Sequence, residues 1–126
     1  MRAKCVEELQ VFQKALDAAH AVSAILEREA FRNDLRLRAQ IGASSERVAS
    51  LIAEGFSQGT DRHFSHYLYL SRGSSSEVRT QFAVAHGRRY VTSEELAELS
   101  ARYNEVERML TGLIKHLVRE NRRHRG

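Results

Sequence analysis

The histidines and serines are the residues to consider first for metal-binding or catalytic chemistry. A di-iron site in a helical bundle needs Glu-x-x-His repeats, and no glutamate here has a histidine three residues later. His63 and His66 are three residues apart but lack the set of cysteine or carboxylate neighbours that would complete a metal shell. Ser74 to Ser76 follow no predicted strand, so they fit neither a nucleophile elbow nor a phosphate loop. The sequence therefore predicts no enzyme, no catalytic residue, no cofactor and no metal site.

The arginines offer a second kind of chemistry, the binding of phosphate. The net charge is +4, and seventeen arginines stand against three lysines. A planar guanidinium pairs well with phosphate or carboxylate. The candidate nucleic-acid-binding residues form two patches, one of Arg32, Arg36 and Arg38 with Arg88 and Arg89, the other of Arg119, Arg122, Arg123 and Arg125. The alternative for both is a solvated face and a disordered end. Since no aromatic residue interleaves the C-terminal arginines, we expect binding with little sequence specificity.

A third group combines acids with small residues and offers candidate interface or structural positions. Its members are Glu54, Gly55, Arg72, Gly73, Ser74, Glu77 and Gln81. Small residues allow helices to approach closely, and acids there are commonly satisfied by arginines or helix ends. We favour hydrogen-bonded packing for Glu54 and Glu77, and a subunit or ligand interface is the alternative.

The elements that must position these residues are helices. Proline is absent, and apolar residues recur at steps of three and four. The pattern predicts a first helix at about 5–28, a break at the run Phe31-Arg-Asn-Asp34, and a second helix capped by Asn33 or Asp34. A third follows an N-cap at Asp61 and stops at Gly87, and a fourth starts at Thr92 or Ser93 with a capping-box pattern. Ser71-Arg-Gly-Ser-Ser-Ser could split the third helix, although the apolar stripe keeps its phase and favours a continuous one.

Short connectors between long helices predict antiparallel neighbours. The fold class is therefore all-α, an up-down-up-down antiparallel four-helix bundle, with residues 1–126 as one domain and 119–126 as a basic disordered tail. In this layout the tail lies near the connector at 58–61, and Arg32 shares the opposite end with Arg88 and Arg89.

The same layout predicts which residues face each other across the second and third helices. A turn near Gln58 places Glu77 at the level of Gln40 and Arg36. It also places Glu46 opposite Arg72.

Targeting signals and membrane segments are not evident in the sequence. The charged N-terminal stretch lacks the apolar core of a signal peptide, and no window approaches the roughly 18 apolar residues of a membrane span. The lone cysteine, Cys5, can form no intramolecular disulfide. We expect a cytoplasmic protein without a membrane partner.

Several blocks of this sequence together resemble a known family. They are Gln40-Ile41, Val48, Ile52-Ala-Glu-Gly-Phe56, Phe64, Tyr67-Leu68, Arg72-Gly-Ser74, Glu77, Thr80-Gln81, Val106, Met109-Leu110 and Gly112-Leu-Ile114. In order and spacing they resemble the 23S rRNA-intervening-sequence proteins, a four-helix-bundle family similar to the retroelement accessory variability protein. The resemblance implies a bundle, a homo-oligomer such as the ring-shaped pentamer that some members form, and an RNA-linked setting.

Two functions from different classes follow. The first is a non-enzymatic, oligomeric accessory protein associated with RNA or DNA. The second is a scaffold that recruits another protein and has no role with nucleic acid. A steep loss of binding at high salt would distinguish the first from the second.

Overall fold

The computed structural model is all-α. It describes the backbone of residues 3–125 and the side chains of residues 3–123, and no β-strand occurs in that range. A 3-10 turn at Val6–Glu8 precedes five helices: α1 (Gln10–Leu26), α2 (Glu29–Arg32), α3 (Leu35–Phe56), α4 (Asp61–Gly87) and α5 (Ser93–Arg125).

Local capping interactions fix the starts of the long helices. Asp34 caps α3 as predicted, because its carboxylate accepts a hydrogen bond from the backbone of the first turn. The predicted capping box is confirmed: Glu95 N donates to Thr92 Oγ1 at 3.1 Å, and Thr92 N donates to Glu95 Oε1 at 2.9 Å. The predicted cap at Asp61 is wrong by one residue, since the hydroxyl of Thr60 fills this role.

The first predicted helix differs most from the structure. It begins at Gln10 and not near residue 5, because Leu9 is extended, with φ of −74° and ψ of 121°. It ends at Leu26, and α2 follows as a separate turn. Phe31, which the sequence suggested was part of a helix-breaking run, is fully buried in that turn and packs edge-on against Tyr90. Its burial explains why the chain bends here without leaving the core.

The serine-rich segment of the third predicted helix is helical, so a continuous α4 is confirmed. Ser71 and Ser75 face neighbouring helices. Ser71 Oγ donates to the carbonyl of Val48 at 2.7 Å, and Ser75 Oγ donates to Glu107 Oε2 at 2.8 Å. These bonds satisfy the hydroxyls inside the protein, which offsets the low helix propensity of serine.

The long helices contact each other in four pairs: α1 with α3, α3 with α4, α4 with α5, and α5 with α1. Side-chain bonds link several of these helix pairs. In each such pair, the residue numbers of the bonded positions rise along one helix while they fall along the other. Examples are Ser44–Glu77 and Val48–Ser71 for α3 and α4, and Arg72–Thr111 and Arg79–Glu107 for α4 and α5. For α1 and α5 they are Lys14–Glu105 and, two residues beyond the end of α1, Arg28–Glu95. One continuous core of buried apolar residues fills the space between the helices.

The basic C-terminal segment is helical over 119–125, where a disordered tail was expected. Two local contacts support the helix: Arg119 Nε donates to the Lys115 carbonyl, and Arg123 pairs with Glu120 at 3.5 Å. Among residues 3–125, no helix is both long enough and apolar enough to span a bilayer.

Candidate nucleic-acid interface

The arginines near the α2–α3 junction are largely held by carboxylates. Arg32 and Arg38 both pair with Glu27, at 3.3 and 3.2 Å. Arg38 is held further by a 2.9 Å hydrogen bond from its Nε to the Leu26 carbonyl. Glu27 therefore compensates part of the charge predicted for this patch.

Asp34 draws a third arginine of this patch into the same network. Its Oδ2 accepts hydrogen bonds from Arg88 Nη1 at 2.7 Å and from the Tyr90 hydroxyl at 2.8 Å. The hydrogen bond from Tyr90, followed by the backbone bond from Leu37 and the contact with Arg88, lowers the pKa of Asp34. The carboxylate is thus ionised at neutral pH and neutralises Arg88.

A second acid–base pair closes the same end of the protein. Arg28 donates to both carboxylate oxygens of Glu95, and to the carbonyl of Tyr90. The Arg28 bonds and the bond from the Thr92 amide lower the pKa of Glu95 to about 2. This pair joins the link between α1 and α2 to the first turn of α5 and is a structural contact.

Two arginines of the first patch remain without a carboxylate partner among the described side chains, Arg36 and Arg89. Arg36 lies in the first turn of α3. Arg89 has a φ of 65°, the left-handed conformation that ends α4 and turns the chain toward α5. The structure therefore divides the predicted patch into compensated and uncompensated charges.

The opposite end of the protein carries the second patch, and here the arginines are less compensated. Arg62 and Arg122 line a groove of about 300 Å³ between the start of α4 and the end of α5, together with Ser65, Val118 and Asn121. Neither guanidinium pairs with a carboxylate of residues 3–123. The groove presents to solvent two positive charges that no carboxylate of the described side chains compensates.

The neighbouring arginines of the second patch differ in their surroundings. Arg119 bonds to a backbone carbonyl and has no carboxylate partner within the part of the chain whose side chains are described, whereas Arg123 pairs with Glu120. The side chain of Arg125 lies outside the described residues. The sequence analysis missed Arg62. The connector at 58–61 was predicted to lie beside the C-terminal tail. Because Arg62 follows that connector directly, the predicted layout could have identified it.

The acids and small residues divide into packed and exposed positions. Gly55 is buried where α3 meets α4: a Cβ atom there would lie 2.6 Å from the Tyr67 Cβ. Glu54 is exposed and forms no side-chain bond in the described region. Gly73 is exposed, and no atom lies within 4 Å of the position that a Cβ atom would occupy, so within one chain it mediates no close helix approach.

Glu77 pairs with different residues from those that the sequence suggested. Its Oε1 accepts hydrogen bonds from Ser44 Oγ and Arg47 Nη2, both at 2.7 Å. The predicted level beside Gln40 and Arg36 is wrong by about one helical turn. The reason is the connector, which contains Gly59 at a φ of 83° and turns the chain later than Gln58.

Arg72 faces α5, so the predicted partner Glu46 is also wrong. Its Nη1 donates to Thr111 Oγ1 at 3.0 Å, and its guanidinium lies 4.9 Å from the Tyr69 ring centroid. Ser74 is buried in the same region of α4. Gln81 lines a groove between α3 and α4, with Arg36, Leu37, Gln40, Val84 and Arg88.

The histidine pair has local partners. His63 Nδ1 lies 2.6 Å from Thr60 Oγ1, and the His66 ring lies edge-on to Tyr67. Among the residues that the structure describes, no three histidine, cysteine, aspartate or glutamate side chains are grouped to hold a metal ion.

Comparison with known proteins places this geometry in context. No curated protein matches the sequence. A crystal structure of a protein with unknown function from the S23 ribosomal protein family of Bacteroides thetaiotaomicron is similar, with a TM-score of 0.75 and 18% identity. The match covers 83% of this chain and 95% of that chain, and at this identity it shows the fold alone. The sequence model of the 23S rRNA-intervening sequence protein family matches residues 7–112 of this chain. Because that match spans most of the sequence, the chain belongs to the 23S rRNA-intervening sequence protein family.

Proposed function

We propose that the protein is a non-enzymatic, nucleic-acid-binding accessory protein of the cytoplasm, and that it binds RNA or DNA through the groove between α4 and α5. The observation that carries this proposal is the contrast between the two arginine patches. Arg32, Arg38 and Arg88 are held by carboxylates, whereas Arg62 and Arg122 have none among the described side chains. Free guanidinium groups release counterions when they bind phosphate, which supplies most non-specific affinity.

The lining of this groove favours contact with the nucleic-acid backbone. Its polar groups are guanidinium, hydroxyl and amide, which bond to phosphate and sugar. No aromatic side chain lines it, so stacking on bases does not contribute. We therefore expect affinity that depends steeply on salt and weakly on base sequence.

We also propose that the long helices form a single up-down-up-down antiparallel bundle. The four helix pairs in contact form a closed cycle, and the side-chain pairs between helices run in opposite directions along the sequence. This arrangement supports binding at the Arg62 groove, because it brings the start of α4 and the end of α5 together at one end of the bundle.

Self-association is the further part of this proposal, as a homo-oligomer that the family resemblance suggests is a pentamer. One face of α4 supports it. Tyr69, Leu70 and Val84 are exposed apolar side chains, 49%, 45% and 41% accessible, and Gly73 lies on the same helix with open space around it. Contact between copies would repeat the arginine groove and raise the effective affinity for a long polyanion.

The test is RNA affinity at several salt concentrations. Replacing Arg62 and Arg122 with glutamine should weaken binding and lower the slope of log affinity against log salt by about 1.4, since each contact to a single strand contributes about 0.7. The control replaces Arg47 and Arg102 with glutamine as well, and both of these arginines pair with exposed carboxylates. It removes the same charge and should leave the slope nearly unchanged. Equal slopes for both double variants would refute the groove as the binding site.

The alternative function is a protein-recruiting scaffold. The exposed apolar side chains of α4 favour it, because such a face can bind another protein as readily as a second copy. A partner that stays bound at high salt, with no affinity for RNA at low salt, would support the scaffold and refute the nucleic-acid proposal.

A further inference from the structure

The α4–α5 surface carries a second groove, further along the same two helices than the Arg62 groove. Its volume is about 340 Å³. The side chains that line it come from both helices: Arg72, Asn104, Glu107, Arg108 and Thr111. The carboxylate in this lining, Glu107, already accepts hydrogen bonds from Ser75 and Arg79. Arg108 is exposed and pairs with no carboxylate among residues 3–123, so this groove also keeps an uncompensated cation.

Helical periodicity joins the two grooves into one basic surface. Arg108, Lys115 and Arg122 follow each other on α5 at steps of seven residues, close to two helical turns, so they lie on one side of the helix. Arg122 lines the Arg62 groove and Arg108 lines the second groove, so this side borders α4. Lys115 is exposed and has no carboxylate partner in the described region. The three residues form a row of cations about 21 Å long at 1.5 Å per residue.

Tyr69 adds an exposed aromatic ring on the α4 side of this row. It precedes Arg72 by three residues on the same helix face, and the Arg72 guanidinium lies 4.9 Å from its ring centroid. Thr111 anchors that guanidinium, because its Oγ1 accepts a hydrogen bond from Arg72 Nη1 at 3.0 Å. The tyrosine is nevertheless 49% exposed. Arg72 therefore holds the ring beside the second groove and leaves much of it open to solvent.

We propose that the α4–α5 surface binds a single strand of RNA or DNA, with phosphates along the row of cations and an unpaired base stacked on Tyr69. The inference rests on the proposed function and adds the class of nucleic acid to it. Single-strand sites combine a positively charged groove with aromatic side chains on which bases stack. The bases of a duplex are already stacked on each other, so the ring gains nothing from them. Every base has a face for stacking, so the site tolerates any sequence.

Leu70 provides a matched control for Tyr69, because the two side chains are similarly exposed, at 45% and 49%. Tyr69 lies on the side of α4 that borders α5. Leu70 precedes Glu77 by seven residues, about two turns, and Glu77 bonds to α3, so Leu70 lies on the side toward α3. Removal of Leu70 thus takes away exposed apolar surface of α4 without touching the row of cations.

The test is fluorescence anisotropy on the full chain with a short oligo-uridine RNA, an oligo-thymidine DNA of equal length and a duplex RNA. Tyr69→Leu should reduce affinity for both single strands about tenfold, the contribution of one stacked base, and leave duplex affinity unchanged. Tyr69→Phe keeps the ring and Leu70→Ala keeps the site, so both should retain full affinity. Arg108→Gln should lower the slope of log affinity against log salt by about 0.7 for the single strands. Tighter binding of one single strand identifies RNA or DNA as the preferred ligand, and either result supports the proposal.

The opposing outcomes are distinct. Unchanged single-strand affinity in Tyr69→Leu, or an equal loss for the duplex, would overturn the single-strand site while salt-dependent binding, and with it the proposed function, remains. Equal losses of affinity in Tyr69→Leu and Leu70→Ala, with a lower oligomer mass by light scattering, would assign the ring to self-association and also overturn it. Absence of salt-dependent binding to all three probes would refute the proposed function and this inference together.

Discussion

Replacement of Gly55 with alanine gives the sharpest test of how α3 and α4 pack. Gly55 lies in the last turn of α3 and is buried. The added Cβ would lie 2.6 Å from the Tyr67 Cβ and 3.1 Å from Phe64 Cδ1. The phenyl ring of Phe64 can rotate, but the Tyr67 Cβ is fixed to the backbone of α4. The two helices would therefore have to separate locally.

The magnitude follows from two opposing effects. Alanine in place of glycine favours a helix by about 1 kcal/mol. Overpacking of a closely packed contact costs about 1–3 kcal/mol, and a clash with an immobile atom lies at the upper end of this range. We expect a net loss of about 2 kcal/mol in the free energy of unfolding, or about 8 °C in the melting temperature for a domain of this size.

Gly73→Ala is the matched control, because Gly73 lies inside α4 with no atom within 4 Å of an added Cβ. There the helix propensity acts alone and should stabilise the protein by about 1 kcal/mol. Urea denaturation followed by circular dichroism measures both variants, and light scattering separates a change in assembly at Gly73 from a change in the fold. If Gly55→Ala is neutral or stabilising like its control, the close approach of α3 and α4 is wrong.

Two further predictions concern ion pairs. Glu107→Ala should lower the free energy of unfolding by about 2 kcal/mol in urea denaturation, because this carboxylate is only 17% exposed and accepts two hydrogen bonds from Arg79. Glu98→Ala, at an exposed pair on the same helix, should cost less than about 0.5 kcal/mol, and equal losses would contradict the difference in burial. Because Arg28 lowers the pKa of Glu95 from 4.5 to about 2, this carboxylate stabilises the fold above pH 4.5, and the contribution is lost as pH falls through 2. Denaturation over this pH range should show a smaller loss of stability for Glu95→Gln than for the unmodified protein, and parallel curves would contradict the assignment.

The sequence by itself determined the all-α class and three of the helix ends. The cap at Asp34, the capping box from Thr92 to Glu95 and the stop at Gly87 were predicted correctly. Each depends on contacts within one helical turn, so neighbouring residues contain the necessary information. The family resemblance was confirmed as well, because the family model matches residues 7–112.

The tertiary structure decided which residues meet across helices. Phe31 looked like part of a polar break, and only its contact with Tyr90 shows that it is buried. The level of Glu77 was misjudged by about a turn, because it depends on the backbone of the connector around Gly59. A shift of one turn leaves each helix intact but changes every residue pair between α3 and α4.

The division of the arginines into compensated and free groups also required the tertiary structure. In the sequence Arg38 and Arg62 are equivalent, each on a charged helical segment. In the fold Arg38 meets Glu27 and a helix-end carbonyl, whereas Arg62 meets Arg122 across a groove. Composition fixes how much charge the chain carries, but the partners of each charge come from segments far apart in the sequence. Electrostatic interaction falls with distance, so only the packing of those segments decides which arginines remain free to bind phosphate.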